Sequence, residues 1–82
     1  MSGTELILYY MPTCPYCQKV TDFIEENNIE KIEFKNTFEN PDAKEKLIEV
    51  GGKDQVPCLF IDGEPLYESD DIINWLKQNI VD

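Results

Sequence analysis

The order of apolar runs and chain-breaking residues predicts an α/β fold, in which a four-stranded mixed sheet is flanked by three helices. Three short β-rich runs alternate with segments of helical periodicity. An Asp62-Gly63 turn signal separates the third run from a fourth, which predicts an antiparallel hairpin. The element order is therefore β-α-β-α-β-β-α, for which helices packed on a central sheet are the economical arrangement. Residues 1–82 are expected to form a single domain.

The first part of the sequence predicts a strand followed by a helix. Glu5–Tyr10 is a β-rich apolar run, typical of a buried strand. A helix is expected to begin near Cys14, with Pro15 in its first turn, where the missing N–H costs nothing. Asn27-Asn28 is expected to end it. Its apolar face would consist of Val20, Phe23 and Ile24.

A second strand and a second helix follow. The segment Lys31–Asn36 alternates polar and apolar residues, as a strand does. Asn40-Pro41 indicates an N-cap and the first helical residue. The helix is expected to span Pro41–Val50 and to stop at Gly51-Gly52. The residues expected to share the inward faces are Ile32 and Phe34 on the strand, and Ala43, Leu47 and Val50 on the helix.

The last part of the sequence predicts a hairpin and a final helix. Cys58–Asp62 is the third strand, and Pro65–Tyr67 is expected to return antiparallel to it. Ser69 is expected to cap the helix, with Asp70 and Asp71 in the first turn, where carboxylates favour the helix dipole. The residues expected to face the sheet are Ile72, Ile73, Leu76 and Ile80.

The charge composition excludes several classes of function. The chain has 17 acidic and 7 basic residues and no histidine, for a net charge of −10. Such a chain is a poor ligand for nucleic acid or for an anionic membrane surface, since both require clustered cations. No apolar run is long enough to span a bilayer, and the N-terminus has no signal-peptide pattern. The expected compartment is therefore the cytoplasm.

The three cysteines are Cys14, Cys17 and Cys58. An odd count without a signal peptide argues against a disulfide scaffold. Three cysteines without histidine cannot complete a four-ligand zinc site unaided, so no metal site is predicted. Cys58 is expected to be a small buried strand residue. The alternative is a third thiol near Cys14 that is open to oxidation.

Cys14 and Cys17 form a C-x-x-C pair around Pro15 and Tyr16. Cys14 is expected at the helix N-terminus, where unpaired backbone N–H groups and the helix dipole stabilise a thiolate. Cys17 lies three residues further on, within the first turn, more buried but close enough to attack a mixed disulfide on Cys14. We therefore expect Cys14 to be the nucleophile and Cys17 the resolving thiol.

Three motifs together resemble the glutaredoxins of the thioredoxin-like superfamily. They are the sequence CPYC at residues 14–17 after a strand, Val56-Pro57 before a strand, and the sequence ESDD at residues 68–71 opening the last helix. Their order and separations fit essentially the whole chain. The resemblance implies the thioredoxin-like (glutaredoxin) fold, a cis Val56-Pro57 bond near Cys14, and a groove for glutathione.

The resemblance also implies which residues hold glutathione. The backbone of Val56 would pair with the tripeptide like an added strand. The start of the last helix would hold the γ-glutamyl end, with its carboxylate on the helix N-terminus and its ammonium near Asp70. The residues assigned to the groove are Tyr16, Gln55, Val56, Pro57, Glu68, Ser69 and Asp70.

The sequence departs from the glutaredoxin pattern in two places. Met11 stands where a basic residue is common, so Cys14 activation would depend more on the helix terminus, with Lys19 or Lys53 as possible substitutes for the charge. Tyr67-Glu68 stands where Gly-Gly is usual. The stretch from residue 55 to residue 72 is instead similar to the N-terminal domain of glutathione S-transferases, in which a Glu-Ser pair binds the γ-glutamyl group.

The sequence therefore predicts a glutaredoxin-type thiol-disulfide oxidoreductase that reduces glutathione mixed disulfides and protein disulfides. Glutathione is expected as cosubstrate, with no tightly bound cofactor, and the protein is expected to be a monomer. Two other functions stay open. One is a redoxin that serves a single partner and is reduced by a flavoprotein reductase, as Met11 and the negative charge would favour. The other is an iron–sulfur cluster carrier dimer completed by outside thiols.

Overall fold

A computed structural model describes residues 5–80. The elements, in chain order, are β1 (Leu6–Tyr10), α1 (Pro15–Glu26), β2 (Ile32–Asn36), α2 (Pro41–Gly51), β3 (Cys58–Ile61), β4 (Glu64–Tyr67) and α3 (Ser69–Asn79). The sheet has the strand order β2-β1-β3-β4. β1 is parallel to β2, whereas β3 is antiparallel to both β1 and β4. The predicted mixed sheet with three helices is confirmed, and this is the thioredoxin-like fold.

The sheet is covered on both faces, because successive strand residues point to opposite sides. On one face, Leu8 and Leu59 pack with residues of α1 and α3 into the larger apolar cluster. On the other face, Tyr9 and Cys58 pack with Ala43 and Leu47 of α2. Both central strands therefore supply side chains to two cores, which fixes all three helices against the sheet.

The end of α2 differs from the prediction. The helix continues through Gly51 and stops at Gly52, which has a left-handed φ of 86°. Val50 was predicted to turn inward, but it is 43% exposed. The buried stripe runs instead from Leu47 to Gly51, four residues on, where a Cβ would overlap the hydroxyl of Tyr67. A side chain at position 51 would therefore have to displace the Tyr67 ring.

Three further predictions need correction. Ser69 is not the cap of α3 but its first helical residue, and the N-cap is Glu68. Ile80 follows the end of α3 and is exposed, since the helix stops before that turn reaches the sheet. Phe34 shares a face with buried Ile32 but is 44% exposed, because a groove separates this part of the edge strand from α1. The strand ends differ from the predicted ones by about a residue.

Candidate active site

Cys14 is the N-cap of α1, in extended backbone conformation, and Pro15 is the first helical residue. The Cys14 N–H donates to the Met11 carbonyl at 3.2 Å, and its carbonyl accepts from the Gln18 N–H at 3.0 Å. No acidic residue lies in the first turn of α1. The positive end of the helix dipole therefore lies at Cys14, without a competing carboxylate from this turn.

Cys17 lies one turn deeper and is 1% exposed. Its sulfur accepts a hydrogen bond from the Met11 N–H at 3.5 Å. Burial, with smaller contributions from the neighbouring Cys14, raises the pKa of the Cys17 thiol to about 12, although the Met11 hydrogen bond opposes the change. Cys14 is the partly exposed member of the pair, and all three cysteines are free thiols. The predicted difference in burial between Cys14 and Cys17 is confirmed.

A groove of about 460 Å³ lies between α1, the segment before β3 and the start of α3. We call it the α3-side groove. The Val56-Pro57 peptide bond at its wall is cis, as the resemblance implies. The lining residues are Tyr16, Lys19, Gln55, Val56, Pro57, Glu68, Ser69 and Asp70. All seven residues assigned to the groove from the sequence therefore meet in one place, although they come from three separate segments.

Lys19 is the lining residue that the sequence could not place. Its Nζ lies 2.6 Å from Oδ1 of Asp70, joining α1 to α3 across the groove. Lys19 follows Tyr16 by three residues, so helical periodicity puts both on one face, which was the available signal. Lys53, the other candidate cation, instead lies over the Tyr67 ring at 4.7 Å.

The start of α3 explains how Glu68 replaces a glycine. Glu68 has a φ of 77°, in the left-handed region that glycine adopts most readily. The backbone conformation is therefore kept at the cost of local strain. The Glu68 side chain reaches across the groove, where Oε2 accepts a hydrogen bond from Gln55 Nε2 at 3.3 Å.

Cys58 is fully buried in the α2-side core, as predicted. Burial raises the pKa of its thiol to about 11, although the neighbouring Tyr67 hydroxyl opposes the change. Within residues 5–80, no cluster of three or more histidine, cysteine or acidic side chains has the geometry to hold a metal ion. In the same part of the chain, no helix is both long and apolar enough to cross a membrane.

A thioredoxin-like fold with a C-x-x-C pair at the N-terminus of its first helix defines a thiol-disulfide oxidoreductase. Comparison with known proteins shows which family of thiol-disulfide oxidoreductases the chain belongs to. The glutaredoxin family model matches residues 6–66. The chain is 36% identical to glutaredoxin 1 of Rickettsia prowazekii (strain Madrid E) over 80 residues, which cover 94% of this chain and 82% of that protein. The chain belongs to the glutaredoxin family, as the motifs indicated.

Solved structures support the same fold. The holo form of glutaredoxin C1 from Populus tremula x tremuloides superposes with a TM-score of 0.68 at 19% identity, covering 92% of this chain and 76% of that one. Glutathione transferase Omega 3C from Trametes versicolor gives a TM-score of 0.77 at 27% identity over 90% of this chain. The chain spans only 33% of that transferase, so the likeness concerns one part of a longer protein.

Proposed function

We propose that this glutaredoxin uses glutathione to reduce glutathione mixed disulfides and protein disulfides. The observation that carries the proposal is the α3-side groove, whose lining contains every residue that the resemblance assigns to glutathione. Its volume of about 460 Å³ lies within the roughly 300–1,000 Å³ that is typical of small-molecule sites. Tyr16 borders the groove two residues after Cys14, so a bound tripeptide would lie beside the nucleophile.

The backbone of Val56 is available to an extended ligand. Val56 precedes β3 and is half-buried in the groove wall. Within residues 5–80, neither its N–H nor its C=O has a protein hydrogen-bond partner. A peptide that runs beside this residue would gain both bonds, which is how a strand adds to an open edge.

The first turn of α3 suits the γ-glutamyl end of glutathione. Backbone N–H groups at a helix N-terminus attract a carboxylate. The Asp70 carboxylate, 76% exposed, can receive the ammonium. Lys19 occupies the same carboxylate in the free protein, so binding of the ammonium replaces or shares this ion pair.

The monothiol cycle uses Cys14 alone. The Cys14 thiolate attacks the glutathione sulfur of a mixed disulfide, the substrate's S–S bond breaks, and the departing thiolate takes a proton from water. A second glutathione thiolate then attacks the glutathione sulfur on Cys14. This step releases glutathione disulfide and restores the Cys14 thiolate, so one mixed disulfide and one glutathione thiol give one substrate thiol and one glutathione disulfide.

Protein disulfides require Cys17 as well. Cys14 attacks one sulfur, and Cys17 then attacks the Cys14 sulfur, forming the Cys14–Cys17 disulfide and releasing the second protein thiol. Burial is the main reason why the pKa of Cys17 is high, but its interactions with Cys14 raise it further. Two glutathione molecules then reduce the internal disulfide.

The test is turnover of the mixed disulfide of glutathione and 2-mercaptoethanol, with glutathione and glutathione reductase supplying electrons and NADPH oxidation as the signal. We expect turnover in the native protein and in Cys17→Ser, and none in Cys14→Ser. Loss of turnover in Cys17→Ser would refute the assigned roles. No turnover in the native protein, with its internal disulfide still reduced by a thioredoxin reductase system, would point to a partner-specific electron donor.

A further inference from the structure

A second groove, of about 520 Å³, lies on the opposite flank of α1, between that helix and the edge strand β2. We call it the β2-side groove. Residues from the segment before Cys14, from β2 and from the outer face of α1 line it. The lining residues used below are Tyr10, Met11, Asp22, Glu25 and Phe34. None of the residues assigned to glutathione belongs to this lining.

The β2-side groove begins at the active site. Met11 is part of its lining. The carbonyl of Met11 accepts from the Cys14 N–H at 3.2 Å, and its N–H donates to the Cys17 sulfur at 3.5 Å. A chain lying in this groove would therefore reach the residue that contacts both members of the C-x-x-C pair.

The floor of the groove is apolar and open. Phe34 is 44% exposed and contacts Tyr10 edge to face, with ring centroids 5.9 Å apart. Covering a solvent-exposed aromatic side chain with another apolar group lowers the free energy, because apolar surface is removed from water. The groove thus offers an anchor point for one apolar side chain.

The rim of the groove is negative. Asp22 and Glu25 are the charged residues in its lining, and both are exposed on α1. The chain as a whole carries a net charge of −10. A cationic segment is therefore attracted to this rim, whereas an acidic one is repelled.

We propose that the β2-side groove binds the protein part of the substrate. The bound segment flanks the substrate's own cysteine, and it contains an apolar residue and basic residues. The inference rests on the proposed function, in which glutathione fills the α3-side groove and the protein moiety lies on another surface. The apolar residue covers Phe34, and the basic residues pair with Asp22 and Glu25. The groove gives the enzyme a preference among glutathionylated proteins that the glutathione contacts cannot supply.

The test compares two glutathionylated peptides of equal length, one with Leu and Lys residues flanking a single cysteine and one with Leu and Glu residues. We expect kcat/KM to be higher for the basic peptide and to fall with added salt. The double variant Asp22→Asn/Glu25→Gln should lower it roughly fivefold for the basic peptide, as loss of two exposed charge pairs implies. The matched control, Glu45→Gln/Glu49→Gln, removes the same charge from exposed positions on α2.

Phe34→Ala supplies a second test, independent of charge. It should lower kcat/KM for the peptides but not for the mixed disulfide of glutathione and 2-mercaptoethanol, which has no segment to dock. Equal losses in the two double variants, or no preference between the peptides, would overturn the inference while leaving the proposed function standing. So would a dimer in sedimentation that Phe34→Ala dissociates, since a second copy would then cover the groove. No turnover of the small mixed disulfide would overturn both proposals.

Discussion

The N-termini of α1 and α3 border the same groove but carry opposite electrostatic arrangements. The first turn of α1 has no acidic side chain, and its N-cap is the thiol residue Cys14. The first turn of α3 contains Asp70 and Asp71, and its N-cap is Glu68. Both helices begin with unpaired backbone N–H groups, which attract negative charge. In α1 no carboxylate of the first turn competes for that attraction, whereas α3 already has carboxylates of its own.

The difference teaches how one structural device can serve two tasks. A helix terminus without acids favours a reactive anion from the protein itself. A helix N-terminus with acidic side chains favours a ligand that carries both charges. The ligand's carboxylate can accept hydrogen bonds from the backbone N–H groups, and its ammonium can pair with the aspartate. Lys19 on α1 connects the two by pairing with Asp70.

The largest expected effect is the difference in reactivity within α1. Iodoacetamide at pH 7.5 should modify Cys14 in the folded protein, with Cys17 and Cys58 slower by at least ~100-fold, because both are buried and their thiols keep their protons. With pKa values raised to about 12 and about 11, thiolate at these two positions should still be increasing above pH 9. Mass spectrometry of the alkylated peptides measures each rate. Comparable rates of modification of Cys14 and Cys17 at pH 7.5 would contradict the predicted difference in reactivity between these two thiols.

The next largest effect is a difference in KM between variants of the two aspartates in the first turn of α3. Asp70→Asn should raise KM for the small glutathione mixed disulfide roughly fivefold, because an exposed carboxylate–ammonium pair is lost. Asp71→Asn is the matched control, since Asp71 shares the first turn but does not line the α3-side groove. Its KM should stay within about twofold of the native value. Equal changes in both variants would show that the helix charge matters rather than the contact.

A smaller effect tests the N-terminus of α1 from the other direction, at the residue before the N-cap. Thr13→Glu adds a negative charge beside Cys14, and should slow alkylation of Cys14 roughly two- to fivefold relative to Thr13→Gln. Thr13 is exposed, so neither variant disturbs the core. Stopped-flow measurement with iodoacetamide at low salt gives the two rates. An unchanged rate would mean that local charge does not govern this thiol.

The smallest effect is on stability. Asp71→Asn should lower the free energy of unfolding by about 0.5 kcal/mol, because a carboxylate in the first turn of α3 favours the helix dipole. Urea titration measures it, and added salt should reduce the difference. If the Asp71→Asn protein were as stable as the native one at low salt, Asp71 would not stabilise α3 through the helix dipole.

The sequence predicted best what depends on local signals. Pro15 after Cys14 placed the start of α1, a β-rich apolar run placed β1, and alternation placed β2. The groove residues could be assigned because three motifs matched a family, not because spacing alone brings residues 16, 56 and 70 together. The left-handed backbone of Glu68 could not be foreseen from a glutamate, which rarely adopts it.

Other features depend on tertiary packing. Phe34 alternates correctly with Ile32, but whether α1 covers it is decided by the position of the helix on the sheet. Val50 and Gly51 are both near the apolar stripe of α2, and only the approach of Tyr67 decides between them. The partner of Lys19 comes from a helix 51 residues away in sequence. Tertiary packing therefore determines which of these residues are buried and which partners they contact, and local sequence signals do not.

Tyr67 joins the two walls of the α3-side groove without lining it. Its hydroxyl donates to the Lys53 carbonyl at 3.3 Å, and it directly precedes Glu68. The loop that follows α2 carries one wall of the groove, and the turn after β4 carries the other. Their spacing is therefore constrained by the half-buried Tyr67 phenol and by the absence of a side chain at Gly51. A change of side-chain size at either position would therefore shift the two walls without altering any residue that lines the groove.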